Sequence, residues 1–413
     1  MSELKISVSG LGYIGLPTAT MFANAGAQVI GLDVNQYAID TINEGKIHIV
    51  EPGLEEIVKK VVSSGHLRAS LIAEKADAFL IAVPTPFKGE DYTPDLSYIE
   101  AAVNTIAPVL EKGNIIILES TSPVGATEQM VEWLSVLRPD LTFPKQATDT
   151  NIDINVAYCP ERVLPGHVIR ELVENNRTIG GMTAACTQKA KEVYRIFVKG
   201  ELLETNARTA EMTKLTENAF RDVNIAFANE LSLICDSLDI DVWELIKLAN
   251  HHPRVNILRP GAGVGGHCIA VDPWFIVNKT PELAKMVRSA REVNDYKPKW
   301  VIQQIENKIE ELGTLGRKPK VALLGLAFKP DIDDLRESPA IEIAKIVGSN
   351  SEIELLLVEP NIHKLPSEIT KGTLVDLNTA LQEADVAAVL VKHLQFSQLS
   401  SQDLNKIIDV VGL

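Results

Sequence analysis

Cysteine is scarce in this chain, long apolar runs are missing, and basic residues are outnumbered; each shortage removes a class of protein. The 413 residues include four cysteines, none in a CxxC pair, which argues against a disulfide framework and a zinc site. No metal is expected, and the cytoplasm is the expected compartment. The apolar stretches Ala78–Val83 and Val386–Val391 fall far short of the roughly 20 residues of a spanning helix, so no membrane segment is expected. Met1-Ser-Glu-Leu-Lys-Ile-Ser-Val8 enters a strand pattern at once, leaving no room for a signal peptide. Against 55 Asp and Glu stand 40 Lys and Arg, a formal net charge of −15 that repels nucleic acid and anionic lipid, although a local basic pocket could hold a phosphorylated small molecule. A composition 46% hydrophobic and 23% charged argues against disorder, and the length suffices for two or three domains.

What is present is an alternation of strands and helices, twice over. Lys5-Ile-Ser-Val-Ser runs into Gly10, Ala27–Asp33 reads as the next strand, and Ala78–Val83 and Asn114–Glu119 as two more. Such alternation implies a parallel sheet covered on both faces, with ligands beyond the carboxyl ends of the strands. Near the C-terminus Lys320-Val-Ala-Leu-Leu-Gly325, Glu354–Glu359 and Ala384–Val391 repeat the pattern. Between the two, helical periodicity covers Thr209–Leu238, Val242–Asn250 and Pro281–Leu312. The expected fold is therefore α/β, with two doubly wound Rossmann-like domains joined by a central helical region containing one long helix, which is also a natural dimer surface. The expected boundaries are 1–200, 201–310 and 311–413.

Gly10-Leu-Gly12-Tyr13-Ile14-Gly15 follows a strand and opens a helix, and Asp33 closes the next strand. In this dinucleotide fingerprint Gly10 makes the turn, Gly12 admits the pyrophosphate, Gly15 lets the helix pack, and the acid accepts the ribose hydroxyls. Asp33 repels a 2′-phosphate, favouring NAD over NADP. The second wound region lacks the full fingerprint. Thr85 and Thr121, after the third and fourth strands, stand beside the cofactor on this reading, or serve as turn formers next to proline.

Cys268 follows the run Pro260-Gly-Ala-Gly-Val-Gly265-Gly-His267 and precedes Asp272 by four residues. Glycine permits close backbone approach and positive φ, so the loop suits a thiol aimed at a ligand more than a packing cysteine. Cys159, Cys186 and Cys235 carry no such setting. Lys214 and Asn218, four apart on the long helix, share a face; they could stabilise an oxyanion, or belong with Glu211, Glu217 and Arg221 to a solvated surface. Glu161 is either a general base or a turn-capping carboxylate. No metal role fits His251-His252, and no Cys-His pair is expected of His267, since adjacent loop residues point apart. NAD plus a nucleophilic thiol suggests one site that takes an alcohol through aldehyde, thiohemiacetal and thioester to an acid. A one-step hydroxyacid dehydrogenase would need no such thiol.

Taken together, Gly10–Pro17, Val83–Pro86, Ser120–Gly125, Pro160–Arg162, Ala210–Ala219, Gly263–Asp272, Phe328–Pro330 and Asp333–Pro339 resemble the UDP-glucose/GDP-mannose dehydrogenase family, in all three regions. That resemblance implies two-step NAD oxidation of the 6-hydroxyl of a UDP-sugar, with Cys268 as nucleophile, Lys214 and Asn218 as oxyanion stabilisers, and Asp272 assisting deprotonation. Glu161 is implied as the base of thioester hydrolysis, with Thr121 holding water. Besides the fingerprint residues Gly10, Gly12, Tyr13, Ile14, Gly15 and Asp33, it places Thr85, Thr121 and Arg336 at the cofactor. Glu161, Arg162, Val163, Leu164, Lys214, Asn218, Gly265 and Lys329 fall at the sugar nucleotide, together with Arg254 lent by the neighbouring subunit of a homodimer. Serine usually precedes the cysteine in the glucose branch; here His267 and the run Arg162-Val-Leu-Pro-Gly166 point to an N-acetylhexosamine. The expected substrate is UDP-N-acetyl-D-mannosamine, with the gluco epimer as the alternative, and the product would feed surface polysaccharide.

Overall fold

The computed structural model describes residues 4–89, 91–164, 166–266, 268–399 and 407–413; Pro165 and His267, on which part of the substrate expectation rests, lie outside the described residues. The chain divides into two compact units, Met1–Glu217 and Asn218–Leu413. In the first, β1 (Lys5–Ser9), α1 (Gly15–Asn24), β2 (Gln28–Leu32), α2 (Gln36–Asn43), α3 (Leu54–Ser63), β3 (Leu67–Ser70) and β4 (Ala78–Ile81) form one winding. A small hairpin, β5 (Phe87–Lys88) with β6 (Thr93–Pro94), follows. Then come α4 (Ser97–Ile106), β7 (Ile115–Leu118), α5 (Ala126–Leu137), β8 (Asn155–Tyr158), α6 (Val168–Glu174), β9 (Arg177–Gly181), α7 (Ala184–Tyr194) and β10 (Leu202–Asn206). Eight strands pair in the order β10-β9-β8-β7-β4-β1-β2-β3, parallel except where β8 meets β9. Continuous apolar runs make the central strands: every residue of β4 and β7 is buried, as a sheet covered on both faces requires. The winding reverses between β1 and β4, the crevice where doubly wound sheets bind ligands.

The division between the units falls within α8 (Ala207–Ser237), which is 31 residues long. The second unit continues with α9 (Val242–Ala249), α10 (Asp272–Lys279) and α11 (Lys285–Glu311). It ends in a parallel five-stranded sheet ordered β13-β12-β11-β14-β15, built from β11 (Lys320–Leu324), β12 (Glu354–Val358), β13 (Thr373–Leu374), β14 (Val386–Val389) and β15 (Ile407–Asp409), with α12 (Pro339–Ser349) and α13 (Leu377–Glu383). The two sheets repeat one design. Gly10 and Gly325 end their first strands at φ +88° and +92°, and each donates its N–H to the last residue of the adjoining strand, Leu32 or Val358, at 2.8 Å. Expected and observed elements agree closely for the apolar strands and long helices. Strands β3, β5, β6, β9, β10, β13 and β15 are covered by no expectation.

Candidate active site

In the first unit the fingerprint glycines have separate reasons. A Cβ on Gly10 would stand 2.5 Å from the Ala82 carbonyl oxygen, and one on Gly15 would stand 1.7 Å from the Gly10 oxygen; both positions are closed by the protein itself. At Gly12 nothing lies within 4 Å of the Cβ position. That open cradle, between the turn and the N-terminus of α1, fits the pyrophosphate of NAD, with the positive end of the helix dipole facing it. Tyr13 is partly exposed there and Ile14 caps α1. The Asp33 carboxylate accepts from the N–H groups of Leu11 (2.8 Å) and Asn35 (2.9 Å), which fixes it at the edge of the same turn. Thr85 Oγ1 donates to the Thr121 carbonyl oxygen at 2.5 Å, joining the two loops expected at the cofactor. Behind them, Glu211 of α8 accepts from the N–H groups of Gly125 and Thr127 and from the Thr127 hydroxyl at 2.6–2.8 Å, capping α5; burial pushes this carboxyl above its ordinary range.

After β8 the segment that begins at Glu161 is anchored on both sides. Lys214 Nζ donates to the Glu161 carbonyl oxygen at 2.7 Å. Glu161 Oε1 accepts from the Arg162 N–H at 2.7 Å, and Oε2 lies 2.5 Å from the guanidinium of Arg177 on β9. Glu161 thus accepts from the neighbouring backbone N–H and in addition forms a buried ion pair. The Arg162 guanidinium pairs with Glu217 (2.5 Å) and donates to the Asn176 carbonyl oxygen. Val163 is half-buried and Leu164 exposed. The loop is fixed further where the Leu164 N–H donates to Glu171 and the N–H groups of Gly166 and Val168 donate to the buried Glu51. Cys159 is fully buried here, its thiol pushed up to about 12 by burial, which makes it inert.

In the second unit Cys268 is exposed, whereas Cys159, Cys186 and Cys235 are buried. Its carbonyl oxygen accepts from the Asp272 N–H at 2.9 Å, starting α10. The buried Asp272 carboxylate accepts from Asn218 Nδ2 at 2.5 Å. The preceding glycines answer to protein as much as to ligand: a Cβ on Gly265 would meet the Glu337 carbonyl oxygen at 2.4 Å and Pro339 at 2.7 Å, and Gly263 and Gly266 are in the left-handed region beside Pro339 and the Phe328 ring. The loop is thus pressed onto the Phe328–Pro339 segment. Lys329, Arg336 and Arg254 are exposed, and Arg336 is gripped by Asp334 in a two-pronged pair at 2.6–3.1 Å.

Sequence reasoning missed a row of buried polar residues along α8. Glu211, Lys214, Asn218, Asp222, Asn229 and Ser232 are all buried, while Arg221 faces outward; the solvated-face alternative for Lys214 and Asn218 is therefore wrong. Asn229 accepts from the Gly261 N–H (2.9 Å) and donates to Asn294 (2.8 Å), which donates to Asp222, itself paired with Arg291 at 2.6 Å. Ser232 accepts from Lys297 at 2.5 Å. The spacing 211, 214, 218, 222, 229, 232 is helical, and that periodicity was the available signal.

Three descriptions of one family match the chain: the UDP-glucose/GDP-mannose dehydrogenase NAD binding domain over residues 4–198, its central domain over 208–296 and its UDP binding domain over 322–411. A UDP-N-acetyl-D-mannosamine dehydrogenase of Campylobacter jejuni is 62% identical over 400 residues, covering 96% of this chain and 97% of that one. One of Escherichia coli (strain K12) is 59% identical over 420 residues, covering 100% of each. Among solved structures, a UDP-D-ManNAc dehydrogenase from Pyrococcus horikoshii matches with a TM-score of 0.88 at 38% identity, covering 99% of this chain and 95% of that one. Together with the glycine cradle and the exposed thiol, these matches make the chain an NAD-dependent member of the UDP-glucose/GDP-mannose dehydrogenase family.

Proposed function

We propose that the protein oxidises the 6-hydroxyl of UDP-N-acetyl-D-mannosamine to the carboxylate, in two oxidations at one site. The observation that carries this reading is Cys268, an exposed thiol among buried ones, four residues before a buried carboxylate that is already held by Asn218. NAD, when bound, accepts a hydride from C6 at each oxidation. Asp272 assists loss of the hydroxyl proton. The Cys268 thiolate adds to the resulting aldehyde, and the oxyanion of the thiohemiacetal is met by the Lys214 ammonium and the Asn218 amide. Support for that role is that each spends one donor on protein, at Glu161 and Asp272, and retains others. The second oxidation leaves a thioester, which water cleaves with Glu161 as base and Thr121 holding the water. Fixing the loop Arg162–Gly166 through Glu51 and Glu171 suits a segment that reads the sugar, with Arg162, Val163, Leu164, Gly265 and Lys329 at the sugar nucleotide. Arg336 and Thr85 are assigned to the cofactor. The substrate assignment rests on the relatives, named for this sugar over the full length of the chain. Initial rates with the manno and gluco epimers and with UDP-glucose test it; a preference for the gluco epimer would move the assignment to that sugar.

Asp33→Ala is expected to weaken NAD binding and to relax the rejection of NADP, read as the ratio of kcat/KM for the two cofactors. An unchanged ratio would remove Asp33 from the ribose.

The working form proposed is a homodimer. Phe220, Phe227 and Ile234 are exposed at seven-residue intervals along α8, an apolar line suited to a second copy of the helix, with Arg254 lent to the neighbouring sugar nucleotide. Mixing Arg254→Ala with Cys268→Ala subunits should restore part of the activity that each variant lacks. Absence of recovery after verified subunit exchange would show that sites are not shared. We place the protein in the cytoplasm, where thiols stay reduced; among the described residues no helix is long and apolar enough to cross a membrane. Of the three parts 1–200, 201–310 and 311–413, the first is assigned to NAD, the second to dimerisation and the third to the UDP-sugar.

A further inference from the structure

Behind Glu161 lies a buried charge cluster. Arg177, 3% exposed along its side chain, sits between Glu161 (5%) at 2.5 Å and Glu119 (0%) at 3.9 Å. Its guanidinium also lies over the rings of Tyr194 (4.9 Å) and Phe197 (5.7 Å), and Tyr194 donates its hydroxyl to Glu119 at 2.5 Å. Taking three ionisable side chains out of water costs several kcal/mol per ion by order of magnitude, and apolar residues of the same volume would pack as well or better. The cluster holds the side chain of Glu161, and Lys214 holds its carbonyl oxygen.

We propose that Arg177 is the positioning residue for Glu161 in thioester cleavage, holding its carboxylate in place so that it can take a proton from water, with Glu119 as the counter-acid that shares Arg177. This rests on the reading of Glu161 as hydrolytic base. In the step, a water O–H bond breaks and its proton passes to Glu161. The water oxygen bonds to the thioester carbon, the C–S bond breaks, and its electron pair leaves on Cys268 as thiolate; nothing is oxidised or reduced. Without Arg177 the Glu161 Oε2 would lose the partner that lies 2.5 Å from it, and nothing would hold the carboxylate towards the water. Glu119 adds a pH response. Burial pushes its carboxyl up to about 7 against the pull of Arg177 and Tyr194, with Glu161 also raising it. The other titratable group facing the cluster, Cys159, stays a thiol. When Glu119 ionises, Arg177 is shared between two anions, which loosens its hold on the Glu161 carboxylate and frees an oxygen to accept the proton of water.

Both hydrides leave before hydrolysis, so the test separates them. Arg177→Met is expected to release two NADH per subunit in a first burst and then to turn over on the order of 10²-fold more slowly, the low end of a general base's contribution. A UDP-sugar acyl adduct on Cys268 should appear by mass spectrometry after acid quenching, and Arg177→Lys should recover part of the rate. In the unaltered enzyme the single-turnover rate of adduct decay should rise through about pH 7, and Glu119→Gln should flatten that rise. A merely structural role would lower the yield of folded protein without creating the burst or altering the pH profile. Arg177→Met with normal steady turnover and no adduct would overturn the proposal; should neither Arg177 variant fold, a Glu119→Gln profile matching that of the unaltered enzyme would do so. If the unaltered enzyme itself releases fewer than two NADH per sugar, the function reading has failed and the proposal with it.

Discussion

Cys268→Ala is expected to abolish formation of the acid, with a loss on the order of 10⁴-fold or more, as removal of an enzyme's covalent nucleophile produces elsewhere. The first oxidation needs no thiol, so an aldehyde could still form and release at most one NADH per sugar. Without the C–S bond there is no thiohemiacetal to surrender the second hydride and no thioester to cleave. Because Cys268 is exposed, the substitution should leave stability within about 0.5 kcal/mol of the unaltered protein, so that loss of activity at an unchanged melting temperature assigns the effect to chemistry. Cys268→Ser should fare little better: its hydroxyl ionises far less readily than a thiol, and an alkoxide is the poorer leaving group. Acid formation by Cys268→Ala at close to the normal rate would remove covalent catalysis from the account.

Lys214→Ala is expected to cost about 10²–10³-fold in kcat, the range for loss of one oxyanion donor. Its effect is compound. The ammonium that meets the developing charge disappears, and so does the donor to the Glu161 carbonyl oxygen, a group between two buried side chains, whose loss of a partner costs about 1–3 kcal/mol. A loosened Glu161 would slow hydrolysis as well as oxidation. Lys214→Ala should therefore lower the rate of NADH release in the first turnover, while Arg177→Met should spare it, and the two variants divide the cycle between them. The substrate KM should move little, since the interaction is made with charge that develops after binding. A near-normal kcat with a raised KM would recast Lys214 as a binding residue.

Much of the fold was legible because its central strands are uninterrupted apolar runs bounded by glycine and proline, and because the first strand, Gly10 and the second strand recur as β11, Gly325 and β12. Strand β9 and the edge strand β10 were not legible. Arg177 opens one and Glu204 and Asn206 close the other, polar residues that ordinarily argue against a covered strand, and their partners lie far away in sequence. At the site, the thiol stood out from its glycine neighbourhood alone, whereas Lys214 and Asn218 gained weight only from family resemblance. Spacing put them on a helix face but could not show that Glu211, Asp222 and Asn229 on that face are buried, because each owes its burial to a partner elsewhere: Thr127, Arg291 and Gly261. The glycines of the loop before Cys268 were read as room for a ligand. Gly263, Gly265 and Gly266 instead meet Pro339, Glu337 and Phe328, contacts that no local pattern encodes. Arg177 was invisible for the same reason, since a lone arginine opening a strand says nothing about two carboxylates that are 16 and 58 residues before it in the sequence.

The most direct measurement is the number of NADH released per molecule of limiting UDP-N-acetyl-D-mannosamine, with the product's C6 identified by mass. Two NADH and a carboxylate are predicted, since both oxidations occur before Cys268 lets the sugar go. One NADH with an aldehyde product would contradict the account, because it would leave the thiol, the oxyanion donors and the hydrolytic base without a reaction to perform.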